Sequence, residues 1–338
     1  MEFREQVALA PYTTFRIGGP ARWFAEATTE AEIIEAVEFA RERTLPLFTL
    51  GGGSNLLVSD EGFAGLVVRI ILKGIAQADD SFEVAAGEDW DGFVTHAVER
   101  DYAGIECLAG IPGTVGGTPI QNVGAYGQEV AETVEQVRAL EISTLKPVEF
   151  TNAECGFRYR HSIFNSTERG KYIVTRVRYA LKKGGAPRIA YADLKKYFQG
   201  SAEPSLGEVS AVVRGIRRSK GMYIVDGDPD CRSAGSFFKN PIVAADVYER
   251  IAAQEGEVPH YPAEVGAVKI PAAWLLERAG FHKGYALGAA GVSSRHTLAL
   301  INRGGARAAD IFALRNKIIA AVEKRFGILL EPEPVLLG

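Results

Sequence analysis

Cysteine is scarce in this chain, and the three present, Cys107, Cys155 and Cys231, are widely separated. That spacing excludes a disulfide framework and a Cys-x-x-Cys metal knuckle, and it fits reduced thiols in a cytosol. The five histidines make no His-Glu-x-x-His pattern, so no metal is expected. Long apolar runs are missing too; none approaches the ~20 residues that span a bilayer. The N-terminal MEFREQVALAPYTTF carries charges of both signs and no apolar core, unlike a secretory signal. A cytoplasmic protein without membrane contact is the expectation. A formal net charge of −4 offers nucleic acid no general attraction. Arg214, Arg217, Arg218 and Lys220 are too few for a polynucleotide track and read as either a solvated helix face or a local phosphate contact.

Familiar phosphate and nucleophile devices are absent as well. No Gly-x-x-x-x-Gly-Lys-Ser/Thr loop occurs, and no Gly-x-Ser-x-Gly elbow. What is present is glycine in two dense clusters. GIPGTVGGTPIQNVGAYG, residues 110–127, places six Gly in eighteen positions, and LGGGSNLL, residues 50–57, follows the apolar run Leu45 to Leu50. Glycine removes the side chain that keeps a ligand away, and successive backbone N–H groups cradle phosphate. Two such loops point to one extended, phosphorylated ligand. The spacing Gly-x-x-Gly-x-x-Gly-Gly at residues 110–117 differs from the Rossmann turn.

A length of 338 residues implies two or three domains, and 47% apolar with 24% charged residues is globular composition. Periodicity indicates a mixed α+β class. Ile33, Ile34, Val37 and Ala40 share a helical face over residues 31–43, with Thr28 or Thr29 as cap. Strands are expected at Leu66 to Leu72, Phe82 to Ala86 and residues 172–181, and a helix near Asp91 to Arg100. A turn follows at Gly184 to Pro187. The break at residues 200–207, with Ser201 and Pro204, leads into a helix from Leu206 to Lys220 and a further domain. Val243, Val247 and Ile251, spaced by four after Pro241, read as one helix face, and Pro271 opens a helix that Gly280 closes. Ile311, Leu314, Ile318, Val322 and Phe326 form the strongest helical stripe, stopped by Gly327. The tail ILLEPEPVLLG is strand-like except for Glu331, Pro332, Glu333 and Pro334.

Two polar placements stand out. SAGSFFKNP, residues 233–241, sets Ser236 between small residues and two Phe rings, a setting that favours proton donation over acyl transfer. YRHSIF, residues 159–164, embeds Arg160 beside Tyr159 and Ile163, where a guanidinium usually meets a carboxylate or phosphate.

Taken in order, TTFRIGG (residues 13–19), LGGGSNLL, GIPGTVGGTPIQNVGAYG, YRHSIF, SAGSFFKNP and the terminal LEPE resemble the UDP-N-acetylenolpyruvoylglucosamine reductase (UDP-N-acetylmuramate dehydrogenase) family over nearly the whole chain. The resemblance implies a vanillyl-alcohol-oxidase-like FAD fold in two subdomains, residues 1–69 and 70–205, with a substrate-binding domain at 206–326 and a tail at 327–338 that packs back near the first. It implies non-covalent FAD, NADPH as hydride donor, and reduction of UDP-N-acetylglucosamine enolpyruvate to UDP-N-acetylmuramate for peptidoglycan, by a monomer. By motif position, Arg160 and Glu333 stabilise the enolate and Ser236 protonates the carbon. Such a Glu333 must be protonated, which calls for a raised pKa. Glu331 is its rival, since strand alternation places both on one face. Gly51, Gly52, Gly53, Ser54 and Asn55 would hold the FAD pyrophosphate, and Gly113, Thr114, Gly116, Gly117 and Gly124 would approach the flavin. Tyr191, Lys220, Lys239, Asn240 and Tyr261 match contacts to the nucleotide sugar, and Tyr191 with Tyr261 indicates the longer of the family's subtypes. His161 departs from the family's usual Asp. The rivals are an oxidase on the same fold and a non-catalytic nucleotide-sugar or flavin sensor.

Overall fold

A computed structural model describes residues 1–200 and 203–338 and divides the chain into two compact units. Ser201 of the expected break lies outside the described residues. The first unit comprises Met1–Val7, Pro20–Gly53 and Phe63–Ser219; the second comprises Ala8–Gly19, Ser54–Gly62 and Lys220–Gly338.

Besides two short two-stranded ladders, the first unit holds two larger sheets. In one, Phe63–Ile70 lies between Pro20–Ala27 and Leu47–Leu50, parallel to both. Its consecutive Leu66, Val67 and Val68 are fully buried, as a central parallel strand covered on both faces requires. Helix Glu30–Glu42 starts in a capping box between Thr29 and Glu32 and buries Ile33, Ala36, Val37 and Ala40. The other sheet is antiparallel, ordered Lys146–Thr151, Val134–Glu141, Tyr172–Ala180, Ser81–Ala85, Ile75–Ala78. On the expected strand 172–181, Val177 and Tyr179 are buried while Arg176 and Arg178 face outward in part. Helix Trp90–Glu99 is capped by Asp89, whose Oδ2 accepts from Gly92 N at 2.7 Å. Helix Leu206–Ser219 completes the unit.

The second unit gathers its core around helix Ala308–Phe326, whose stripe Ile311, Leu314, Ile318, Val322 and Phe326 is fully buried. Gly327 ends it in the left-handed conformation, φ 70°. Phe15, Ile17 and Leu57 pack into the same core. One expectation needs correction: Val243 is not on the helix with Val247 and Ile251. Ile242–Ala244 is a strand paired with Ala267–Lys269, and the helix runs Ala245–Glu255. The β-branched pair Ile242 and Val243 suits a ladder, and the four-residue spacing to Val247 is coincidental. The tail is likewise strand only at Val335–Leu337, parallel to Leu56–Val58. Among the described residues no helix is long and apolar enough to cross a membrane.

The long helix is capped from a distant segment. Asp60 accepts from Ala308 N at 2.8 Å and from Ala309 N at 3.0 Å, placing a carboxylate at the positive end of the helix dipole. Asp60→Ala should lower unfolding free energy by about 1–2 kcal/mol, with Asp60→Asn losing less. Urea unfolding followed by far-UV circular dichroism measures this, and an unchanged midpoint in Asp60→Ala would refute the cap.

Candidate functional site

In the first unit the two glycine loops meet backbone to backbone. A Cβ on Gly52 would stand 2.6 Å from Gly113 Cα, and one on Gly51 would stand 2.8 Å from Thr114 Oγ1. Real side chains do not fit such spacings, so glycine is obligatory for the approach. Gly53 and Gly113 also take positive φ, 64° and 133°. Gly116 presses on Ala86, its Cβ position 2.6 Å from Ala86 Cβ, whereas no protein atom lies within 4 Å of a Cβ on exposed Gly117.

The 110–117 loop is laid along residues 86–91. Trp90 N donates to Gly113 O at 3.1 Å, Val115 N to Glu88 O at 2.9 Å, and Gly116 N to Ala86 O at 2.9 Å. The buried Trp90 indole donates to Leu108 O at 3.1 Å. Arg217, almost fully buried, donates from Nε to Gly110 O at 2.9 Å. Burial pushes its guanidinium below the ordinary value, a pull opposed by Tyr126 and Asp91. Arg214 is paired with Asp91 at 2.8 Å. These two arginines of the basic cluster therefore hold the loop from inside the fold.

Arg160 sits in a two-residue turn closed by Arg158 N to His161 O at 3.0 Å and His161 N to Arg158 O at 3.1 Å. Its φ of 54° is left-handed, a conformation that costs energy for any residue with a Cβ and recurs at functional positions. The surroundings over-determine it. Asn165 Nδ2 donates to Arg160 O at 3.1 Å, Asn122 Nδ2 donates to Arg158 O at 3.1 Å, and Arg160 Nη2 donates to Gly124 O at 2.8 Å. His161 contributes mainly backbone, with its Nε2 3.3 Å from Ser166 Oγ. Tyr191 caps helix Ala192–Tyr197 and stacks edge-on with Tyr126, centroids 5.3 Å apart.

In the second unit Ser236 and Glu333 lie on neighbouring stretches. Phe238 and Pro332 form an antiparallel bridge, flanked by Glu333 N to Phe237 O at 2.8 Å and Lys239 N to Glu331 O at 3.0 Å. Asn55 joins the same group, donating from Nδ2 to Glu333 O at 3.3 Å and accepting from Val335 N at 2.9 Å. Ser54 O accepts from Thr14 Oγ1 at 3.4 Å. Exposed Glu331 pairs with Lys239, while Glu333 is half-buried. Asn240 accepts from Ala272 N at 2.9 Å, at the start of helix Ala272–Arg278. Tyr261, half exposed, lies under Lys269 with Nζ 6.0 Å from the ring centre. Lys220 follows the end of helix Leu206–Ser219.

Sequence reading missed Asp91, Asn122, Asn165 and Glu106. Fully buried Glu106 accepts from Gln128 Nε2 at 2.8 Å and Arg188 N at 2.9 Å. The deciding partners of Asp91, Asn122 and Glu106 are far away along the chain, so no local pattern marks them, whereas Asn165 closes a local capping box with Ser162 that the sequence could have offered. Burial pushes the Cys107 and Cys155 thiols up to about 12, which removes both as neutral-pH nucleophiles. Among the described residues no cluster of His, Cys, Asp or Glu could hold a metal ion.

Comparison with known proteins adds two family matches: an FAD binding domain over residues 21–146 and the C-terminal domain of UDP-N-acetylenolpyruvoylglucosamine reductase over residues 228–337. A UDP-N-acetylenolpyruvoylglucosamine reductase from Thermobifida fusca is 46% identical, spanning 99% of this chain and 98% of its own length. One from Streptomyces avermitilis is also 46% identical, over 98% of this chain and 93% of its own. The crystal structure of UDP-N-acetylenolpyruvylglucosamine reductase from Thermus caldophilus matches all of both chains at 28% identity, TM-score 0.68.

The glycine geometry yields a contrast. Gly52→Ala must push backbone from backbone and should cost the ligand-free protein about 1–3 kcal/mol. Gly117→Ala meets nothing and should stay within about 0.5 kcal/mol of the parent. Thermal unfolding of the two variants checks this, and equal losses would sink the assignment of inward and outward glycines.

Proposed function

Because the chain belongs to the UDP-N-acetylenolpyruvoylglucosamine reductase family, we propose that it reduces the enolpyruvyl group of UDP-N-acetylglucosamine enolpyruvate to the lactyl ether of UDP-N-acetylmuramate, using NADPH and non-covalently held FAD. The observation that carries this reading is the backbone contact of the two glycine loops, Gly52 on Gly113, beside outward-facing Gly117. A flavin dinucleotide fits such a surface: its pyrophosphate suits backbone N–H donors, and its flat ring needs bare backbone. Gly51, Gly52, Gly53, Ser54 and Asn55 hold the pyrophosphate end, and Gly113, Thr114, Gly116, Gly117 and Gly124 the ring. When bound, the flavin carries two electrons and a proton from NADPH to one carbon of the enolpyruvyl double bond.

The protein's own residues then manage charge and the second proton. Addition to the double bond leaves negative charge on the carbon beside the substrate carboxylate, delocalised as an enolate. Arg160, its guanidinium anchored on Gly124 O, offsets that charge without reorganising. Glu333, protonated, donates a hydrogen bond to the same anion. Ser236 delivers its hydroxyl proton to the carbon and is reprotonated from solvent. Tyr191, Lys220, Asn240 and Tyr261 contact the nucleotide sugar. Lys239 exchanges its exposed partner Glu331 for a phosphate at low cost, because an exposed pair is worth only ~0–1 kcal/mol. The enzyme acts as a cytoplasmic monomer, with residues 1–69 and 70–205 serving the flavin and 206–326 the sugar, except that helix Leu206–Ser219 belongs to the first unit and braces its glycine-rich loop.

Anaerobic stopped-flow absorbance tests the reading. NADPH should bleach the flavin in parent and Ser236→Ala alike, while reoxidation by the enolpyruvyl sugar should slow about 10²–10⁴-fold in the variant. Reoxidation indifferent to the sugar would point to another acceptor. His161→Asp should change turnover less than about threefold, since backbone bonds hold the turn. A large fall would show that the imidazole itself orients Arg160.

A further inference from the structure

Gly110 opens the glycine-rich loop at φ 72°, and its peptide groups are gripped on both sides. Its N–H donates to Asp91 Oδ1 at 2.6 Å, and its C=O accepts from Arg217 Nε at 2.9 Å. Asp91 is held in turn by a fork: Arg214 Nε reaches Oδ1 at 3.0 Å and Oδ2 at 3.1 Å, and Nη2 reaches Oδ1 at 2.8 Å. Arg214 is steadied by Thr95 Oγ1 at 2.6 Å and Ser210 Oγ at 3.1 Å. Helices Trp90–Glu99 and Leu206–Ser219 are thus tied together at the residue where the loop begins. Three residues later the chain reaches Gly113, which lies against Gly52.

The geometry points to Asp91 as the positioning residue that presets the glycine-rich loop for the flavin nucleotide, with Arg214 fixing Asp91. This rests on the reading that the loop receives FAD. A carboxylate does two things here that a neutral side chain does less well: it binds a peptide N–H strongly, and it recruits the guanidinium that fixes its own orientation. A loop ordered before binding spares the ligand the cost of ordering it, so the clamp should appear in FAD affinity and not only in fold stability. The buried Arg217 adds to the same end by holding the next peptide through Gly110 O.

The test uses FAD-free protein and FAD titrated by fluorescence quenching, with visible circular dichroism of the bound flavin and thermal unfolding of the FAD-free form alongside. Asp91→Ala should weaken FAD about 10–100-fold and alter the flavin dichroism, at a midpoint within a few degrees of the parent. Asp91→Asn retains an acceptor for Gly110 N–H but loses the paired grip of Arg214, and should recover only part of that affinity. Should Asp91→Ala fail to fold, Arg214→Met leaves the carboxylate in place but unheld and should weaken FAD about 3–10-fold. FAD affinity within twofold of the parent in Asp91→Ala, or in Arg214→Met in its stead, would overturn the proposal while leaving the flavin reading intact. A lowered midpoint with unchanged affinity would assign Asp91 to folding alone and also overturn it. Failure of the parent to take up FAD would overturn both, which separates the two failures.

Discussion

The approach of Gly52 to Gly113 is the constraint on which the first unit's chemistry depends. With 2.6 Å between the position of a Cβ on Gly52 and Gly113 Cα, the first loop can carry no side chain there, and Gly113 takes a φ of 133° that L side chains rarely adopt. That constraint dictates the rest of the arrangement. A loop this bare packs few side chains, Val115 and Ile111 among them, so much of its order has to come from hydrogen bonds made by its backbone. Residues 86–91 provide them, in a ladder-like run ending at Trp90. Glycine's entropic cost on folding is offset by this scaffold, which leaves peptide groups to face a ligand without giving the loop freedom to move.

Charge is handled in the same spirit. The conspicuous arginines of the first unit bond to backbone carbonyls or to a carboxylate inside the fold: Arg160 to Gly124, Arg217 to Gly110, Arg214 to Asp91. A guanidinium keeps its charge when buried better than a lysine does, and its planar fork is preorganised for such bonds. Arg160 adds a strained backbone, φ 54°, retained because Asn165 and Gly124 hold both its carbonyl and its side chain. Strain kept in this way removes alternative turn geometries at that residue.

Much of this was legible beforehand, for reasons that differ between elements. Helix Ala308–Phe326 has a full stripe and a glycine stop, and helix Glu30–Glu42 a capping box, so local rules define both. The glycine clusters declared bare backbone by composition alone. Their meeting did not, because Gly52 and Gly113 come together only through tertiary folding. The Asp91–Arg214 pair spans 123 positions, and Arg214 looked like one member of a surface cluster until its partner was in view. Val243 was misread because four-residue spacing after Pro241, running from a short strand into a helix, mimics a helix face, and nothing local distinguishes the two.

The terminal Glu-Pro-Glu-Pro run shows how backbone direction resolves what periodicity left open. Donors are needed at Glu333, whose N–H goes to Phe237 O, and at Val335, whose N–H goes to Asn55 O. The prolines occupy the alternate positions, Pro332 and Pro334, where an inward N–H is not called for, so a residue that normally breaks a ladder costs this one nothing. Glu331 and Glu333 flank the isolated bridge at Pro332, yet their environments diverge. Glu331 lies at the exposed end, paired with Lys239, and Glu333 lies half-buried where Asn55 holds its carbonyl. A carboxyl that must keep a proton near neutral pH gains from reduced solvation and loses from a cation beside it. Glu331 has Lys239 beside it, and Glu333 is the less exposed of the two, a difference that depends on single neighbours rather than on the repeat that carries both.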